Sequence, residues 1–164
     1  MATPTGIFGG PMQALKAMFC ASTTFQAWAG AANATEAEAN VAFVNVATAP
    51  DPMIFIAHYG QTMAQSKNNA TAFAVQQSIY VLIEALATET DPDDSVIAFA
   101  NLVGPVIREV MNQNGAPGNL MILEIAQEAD FSITYGPEAN EPGDDANNKN
   151  AKCQVAFVFR VGST

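Results

Sequence analysis

Positive charge is what this chain has least of. Six Lys and Arg stand against 16 Asp and Glu, a formal net charge of -10. Proteins that wrap nucleic acid tightly draw their affinity from Lys and Arg that displace counterions, so that class is excluded. The imbalance is uneven. From residue 76 onward 13 acids face four bases, while before it Glu36, Glu38 and Asp51 face Lys16 and Lys67. Phosphate is repelled by such a surface, which suits a wall that nucleic acid passes without being held.

Catalytic and metal-binding residue types are equally thin. His58 is the only histidine, beside Tyr59 at a predicted strand end, and no serine or cysteine nucleophile can be set next to it from the sequence, so it reads as structural. Cys20 and Cys153 lie far apart and make no metal-ligand spacing, which predicts two reduced structural thiols. Asp91, Asp93 and Asp94 could offer metal ligands, but their place at a predicted helix start accounts for them without one. Gly6, Gly9 and Gly10 precede a helix without the following Lys-Ser or Lys-Thr of a phosphate loop. No cofactor and no metal are expected. Apolar runs are also short: none approaches the roughly 20 residues that span a bilayer. The first ten residues lack a basic stretch followed by a hydrophobic one, so the expectation is a soluble, unexported chain with no membrane partner. On that reading the N-x-T patterns at Asn33 and Asn69 carry no sugar.

What is present is a core. At 164 residues and 49% hydrophobic, the chain can bury roughly 70% of the surface its unfolded form exposes, enough for a single domain. Its strongest element is residues 91–114, DPDDSVIAFANLVGPVIREVMNQN, predicted as one long helix. Asp91 is the N-cap, Pro92 fits the first helical position, and Asp93 and Asp94 place negative charge on the first-turn amides. Val96, Phe99, Ala100, Val103, Ile107, Val110 and Met111 recur at spacings of three and four and predict a buried stripe. Pro105 cannot donate to the carbonyl four residues back, which predicts a kink at Gly104-Pro105.

In chain order, residues 1–10 read as a flexible arm and Pro11 as the opening of a helix that buries Met12, Leu15, Met18 and Phe19. Ser22, Thr23 and Thr24 can cap a further turn carrying Phe25 and Trp28, both assigned to the core. Residues 31–40 predict a third short helix capped by Thr35. Residues 41–47 and 53–59 are β-prone runs on either side of Thr48-Ala49-Pro50-Asp51-Pro52, which breaks any helix or central strand. Residues 61–70 read as a loop. Residues 75–84 alternate as a strand, although Ile79, Ile83 and Leu86 also fit a helix; their Val and Ile content favours the strand.

Beyond the long helix, Gly115 supplies a stop. Met121, Leu123 and Ile125 predict one strand face, and Ala129, Phe131, Ile133 and Tyr135 another, across a bulge near Gln127. Residues 136–150, GPEANEPGDDANNKN, have almost nothing to bury and predict a long flexible acidic loop. Its Glu138, Glu141, Asp144, Asp145 and Lys149 lack the spacing of a calcium loop and are candidates for assembly contacts. Cys153, Val155, Phe157, Phe159 and Val161 close the chain as an amphipathic strand, with Gln154, Ala156 and Arg160 opposite. The order of elements predicts an α+β domain, a mixed and mainly antiparallel sheet packed by the long helix and the short N-terminal ones.

The order of PMQALKAMFCAST with FQAWAG, then VAFVNVATAPDPMIFIAHYG, the acid-capped helix, LMILEIA and CQVAFVFRVG resembles the tail terminator and tail-completion (neck) proteins of long-tailed bacteriophages. The likeness is one of layout over nearly the whole chain, without a catalytic signature. It implies a virion structural protein, assembled in the host cytoplasm, whose subunits form a ring, commonly a hexamer. Such a ring caps the tail tube and meets the neck or head-completion protein, with DNA only passing through its opening. Two other readings stand beside it. One is a different head-tail connector or tail-tube component, and the other a small acidic enzyme or metal-dependent binding protein using His58 and the carboxylates.

Overall fold

The computed structural model describes residue 6 and residues 9–43, 49–65, 73–113, 120–134 and 151–163. Three short helices come first: α1 (Gly9–Cys20), α2 (Thr23–Trp28) and α3 (Ala34–Ala37), the last running into a single 3-10 turn, Glu38–Asn40. Then come β1 (Val41–Ala42), β2 (Met53–Gln65) and β3 (Phe73–Leu86), the long helix α4 (Pro92–Asn112), β4 (Met121–Thr134) and β5 (Lys152–Ser163). The five strands form one sheet in the order β1-β2-β3-β5-β4. Only the β1–β2 pair is parallel; the other three are antiparallel. The α+β class with one long helix is therefore the observed architecture.

Alternation along the strands decides which face is covered. Ile54 and Ile56 of β2, Ile79, Val81 and Ile83 of β3, and Val155, Phe157, Phe159 and Val161 of β5 all point to one side and are buried. Helices α1, α2 and α4 pack there, bringing Leu15, Met18, Phe19, Phe25, Phe99, Val103, Val106 and Val110 into the same cluster. Aromatic rings tie the layers together edge to face. Phe19 meets Phe159 at 5.8 Å, and Trp28, Phe99 and Phe131 link α2, α4 and β4 at 5.7 and 5.9 Å. The buried rings among them, Phe19, Phe99 and Phe159, contribute roughly 1.5–3 kcal/mol each by leaving water.

The start of α4 follows its sequence. Asp91 is the N-cap and its Oδ1 accepts from the N–H groups of Asp93 (2.9 Å) and Asp94 (3.3 Å). The buried face is turned slightly from the expected stripe. Ser95, Phe99, Val103, Val106 and Val110 are buried, Val96 and Ile107 are half-buried, and Met111 is exposed. Ser95 is tolerated inside because its hydroxyl donates to the Glu89 carbonyl and accepts from the Glu89 N–H, both at 3.0 Å. The helix continues through Pro105 to Asn112.

Several other expectations are corrected. The cap of α3 is Asn33, not Thr35: Asn33 Oδ1 accepts from the Glu36 N–H at 3.0 Å, and Glu36 reaches back to the Ala32 N–H at 2.9 Å, a reciprocal capping arrangement. Residues 61–65, read as loop, continue β2, because β3 beside them supplies a ladder from Gln65–Phe73 to Met53–Glu84 that propensity alone does not reveal. Residues 73–86 are strand throughout. Gly9 and Gly10 belong to α1 rather than to an arm. Of the run 41–47, β1 takes only Val41 and Ala42, and residues 44–48 fall outside the described part.

Turns are fixed by side chains. The Asp51–Pro52 bond is cis; Asn40 Nδ2 donates to the Pro52 carbonyl and Asp51 Oδ1 accepts from the Leu86 N–H, each at 2.7 Å. At the end of α2, Gly30 has φ +66°, and the bonds Ala31 N–H to Gln26 O (2.9 Å) and Gly30 N–H to Ala27 O (3.3 Å) close it with a left-handed residue.

Candidate interaction surface

The most concentrated polar group is a carboxylate surrounded by hydroxyls. Glu109 of α4 accepts from Ser22 Oγ at 2.8 Å, from the Thr24 N–H at 3.2 Å, and from the hydroxyls of Thr23 and Thr24. The Thr24 hydroxyl and then the other donors hold its carboxyl below the usual carboxylate range, against a smaller opposing effect of burial. Ser22 also caps α2 directly, its Oγ accepting from the Phe25 N–H at 3.1 Å. One turn further on, Gln113 Nε2 donates to the Met18 carbonyl at 2.9 Å, near the end of α1. The last turns of α4 thus satisfy the exposed end groups of both helices at the α1–α2 corner. The Ser22 hydroxyl, the Thr24 N–H and the Met18 carbonyl are helix-end groups, and the Thr23 and Thr24 hydroxyls bind the same carboxylate, so the cluster acts as a clamp.

The residues singled out in the sequence are dispersed. His58 lies on β2 opposite Ile79 and is exposed. Asp91, Asp93 and Asp94 are at the α4 start, as caps and first-turn charges. Cys20 and Cys153 are free and buried; burial pushes the Cys20 thiol up to about 11 and raises that of Cys153 as well, the reverse of an activated thiol. Phe25 is buried and Trp28 half-buried against the core. Among the described residues no three His, Cys, Asp or Glu come together as metal ligands, and no helix is long and apolar enough to cross a membrane. Glu138, Glu141, Asp144, Asp145 and Lys149 lie outside the described residues.

Among the described residues no helix packs on the second face of the sheet, although Ala156 and Val158 within it are buried. On the side away from the helices, Phe55, Leu82, Ala156 and Ala129 form one cross-strand row and Ala57, Tyr80, Val158 and Ala126 the next. Tyr59, 61% exposed, stacks on Tyr80 with ring centroids 6.3 Å apart, and its hydroxyl reaches Glu128 Oε1 at 3.4 Å. The two residues sit where the ladders slip: β2 shifts register between His58 and Gly60, and β4 between Gln127 and Ala129. Bulges re-aim side chains, and here both are aimed across the same face. Two ion pairs flank the apolar rows, an exposed one, Arg160–Glu124 at 2.8 Å, and a half-buried one, Lys152–Glu84 at 3.9 Å. An exposed pair such as the first adds roughly 0–1 kcal/mol.

Among the described strands β4 pairs with β5, and β1 pairs with β2 at Ile54 and Phe55. Met121 and Leu123, predicted on one strand face with Ile125, are about half exposed at the start of β4 and part from it: the slip between Ile122 and Glu124 puts Ile122 and Ile125 against the core. The bulge expected near Gln127 is present as the slip between Gln127 and Ala129, whereas the one at Tyr59 carries no sequence signal of its own, since it follows from the partner strand's register. No protein-family model matches the chain, and no curated protein sequence matches it significantly.

Proposed function

We propose that the protein is a virion structural subunit of the tail terminator or tail-completion type. Copies join in a ring, read as a hexamer, that caps the tail tube and presents a platform to the neck or head-completion protein. The observation that carries this reading is a sheet that, among the described residues, is packed by helices on one face and carries the exposed Tyr59, stacked on Tyr80, on the other. That is an architecture fitted to repeated association, and the mixed sheet packed by helices is the fold the resemblance implies. The net charge of -10 supports an opening through which DNA passes without adhering. In this reading no chemical turnover is performed, and the acidic stretch with Glu138, Glu141, Asp144, Asp145 and Lys149 contributes contacts between copies or to the next ring.

Mixing the purified protein with polymerising tail-tube protein tests the reading by electron microscopy. Tubes of defined length, each ended by one ring, are expected. Tubes that grow at the same length distribution with and without the protein would overturn it, and stacked rings of the protein alone would identify a tube component instead. Deleting residues 138–149 is expected to abolish capping.

A further inference from the structure

We propose that the outward stripe of α4 is a two-fold contact, on which α4 of a second copy of this chain lies antiparallel with Gly104 against Gly104. The stripe departs from what a solvent-facing helix carries. Ile97, Asn101, Gly104, Arg108 and Met111 recur at spacings of three and four and all are exposed, Ile97 at 58% and Met111 at 52%. Outward helix stripes are normally charged, yet this one holds a single charge, Arg108, and no acid. Glu109, next to it in sequence, is turned aside to α2 by its hydrogen bonds with Ser22 and Thr24. At the centre, a Cβ added to Gly104 meets nothing within 4 Å, so the space beside it is open.

Charge and spacing choose a second copy as the occupant. In a chain of net charge -10, two copies repel over most of their surface, and a stripe without acids is where they approach at least cost. The stripe is also self-complementary. Ile97 and Met111 stand seven residues before and after Gly104, and Asn101 and Arg108 three before and four after. An antiparallel pair centred on Gly104 therefore sets Ile97 of one copy against Met111 of the other at both ends, and brings each Arg108 level with Ala100 and Asn101 of the other copy. Pro105 has no N–H to give the Asn101 carbonyl, which leaves that carbonyl as an acceptor for the guanidinium. Gly104, with no side chain, lets the two backbones close to the ~8 Å lower end of helix packing. A two-fold contact uses the same patch on both copies and stops at two, so it goes beyond the ring reading and leaves the ring's own contacts elsewhere. A contact between two single helices falls below the ~1,200 Å² of stable interfaces, so the pair forms at high concentration only.

Cysteine cross-linking tests the register, with native mass spectrometry of the unmodified protein over a concentration series. Gly104→Cys is expected to give a disulfide-linked dimer under mild oxidation, since the two Cα atoms at the crossing come within the roughly 4–7 Å that a disulfide spans. Asn112→Cys, also exposed on α4, lies roughly 24 Å along the pair from its own counterpart and is expected to give none. Cys20 and Cys153 are buried and stay reduced. Gly104→Glu sets two acids face to face and should weaken dimerisation about tenfold or more. It should not lower the melting temperature, because the site is open and Glu favours a helix more than Gly. No cross-link at 104, equal cross-linking at 104 and 112, or a dimer that Gly104→Glu leaves unchanged overturns the pairing. Rings that form without a cross-link at 104 overturn it and leave the ring reading standing, whereas a chain that stays single at every concentration overturns both.

Discussion

Ser22 and Glu109, 87 positions apart in sequence, are joined by a 2.8 Å hydrogen bond, and through it the last turns of the long helix hold the corner between the first two. Loss of the carboxylate leaves the Thr24 N–H and three hydroxyls without their acceptor. Glu109→Ala is expected to destabilise the fold by roughly 1–2 kcal/mol, the scale of a lost cap, read as a lower melting temperature.

Acid should act through the same group. The folded carboxyl titrates below its ordinary value because the Thr24 hydroxyl and its neighbours bind the charged form. A depressed folded pKa gives stability that is present above the unfolded value and lost as pH falls through the folded one. Wild-type melting temperature should therefore fall more steeply below about pH 4.5 than that of Glu109→Gln, and parallel curves would assign the acid sensitivity to other carboxylates.

Core charge gives the largest effect. Val103 and Phe157 are buried on the facing sides of α4 and β5, so Val103→Asp or Phe157→Asp should cost roughly 3–5 kcal/mol and leave insoluble or unfolded protein. Asp93→Asn removes only a first-turn charge and should cost about 0.3–1 kcal/mol. Thermal melts of the three variants measure the difference.

Much of this was legible in the residues. The α4 cap, the buried positions 99, 103 and 110 and the inward row of β5 follow from period and capping, and the strand at 75–84 from its Val and Ile content, since its period also fits a helix. Val106 and Ser95 escaped because a wide buried stripe is set by what packs on either side, and Ser95 is hidden by a backbone partner at Glu89. The continuation of β2 through 61–65 depends on a ladder with β3, and polar residues such as Gln61 and Thr62 do not announce it. The outward turn of Met121 and Leu123 depends on a slip against β5. Strand order is not legible in the residues, so the stack of Tyr59 on Tyr80 and the reach of its hydroxyl to Glu128 emerge only from the structure.

At Gly30 the φ of +66° is the constraint, since a Cβ there meets nothing within 4 Å. Gly30→Ala should cost roughly 1–2 kcal/mol by left-handed strain alone. Equilibrium denaturant unfolding checks it, and an unchanged midpoint would mean that α2 can end by another route.

Native mass spectrometry of the purified protein tests the central claim most directly. A closed assembly of several copies of the 17.2 kDa chain, six if the ring is a hexamer, is expected in concentration-dependent exchange with the single chain. A chain that remains a 17.2 kDa monomer at every concentration, with and without tail-tube protein, would contradict it.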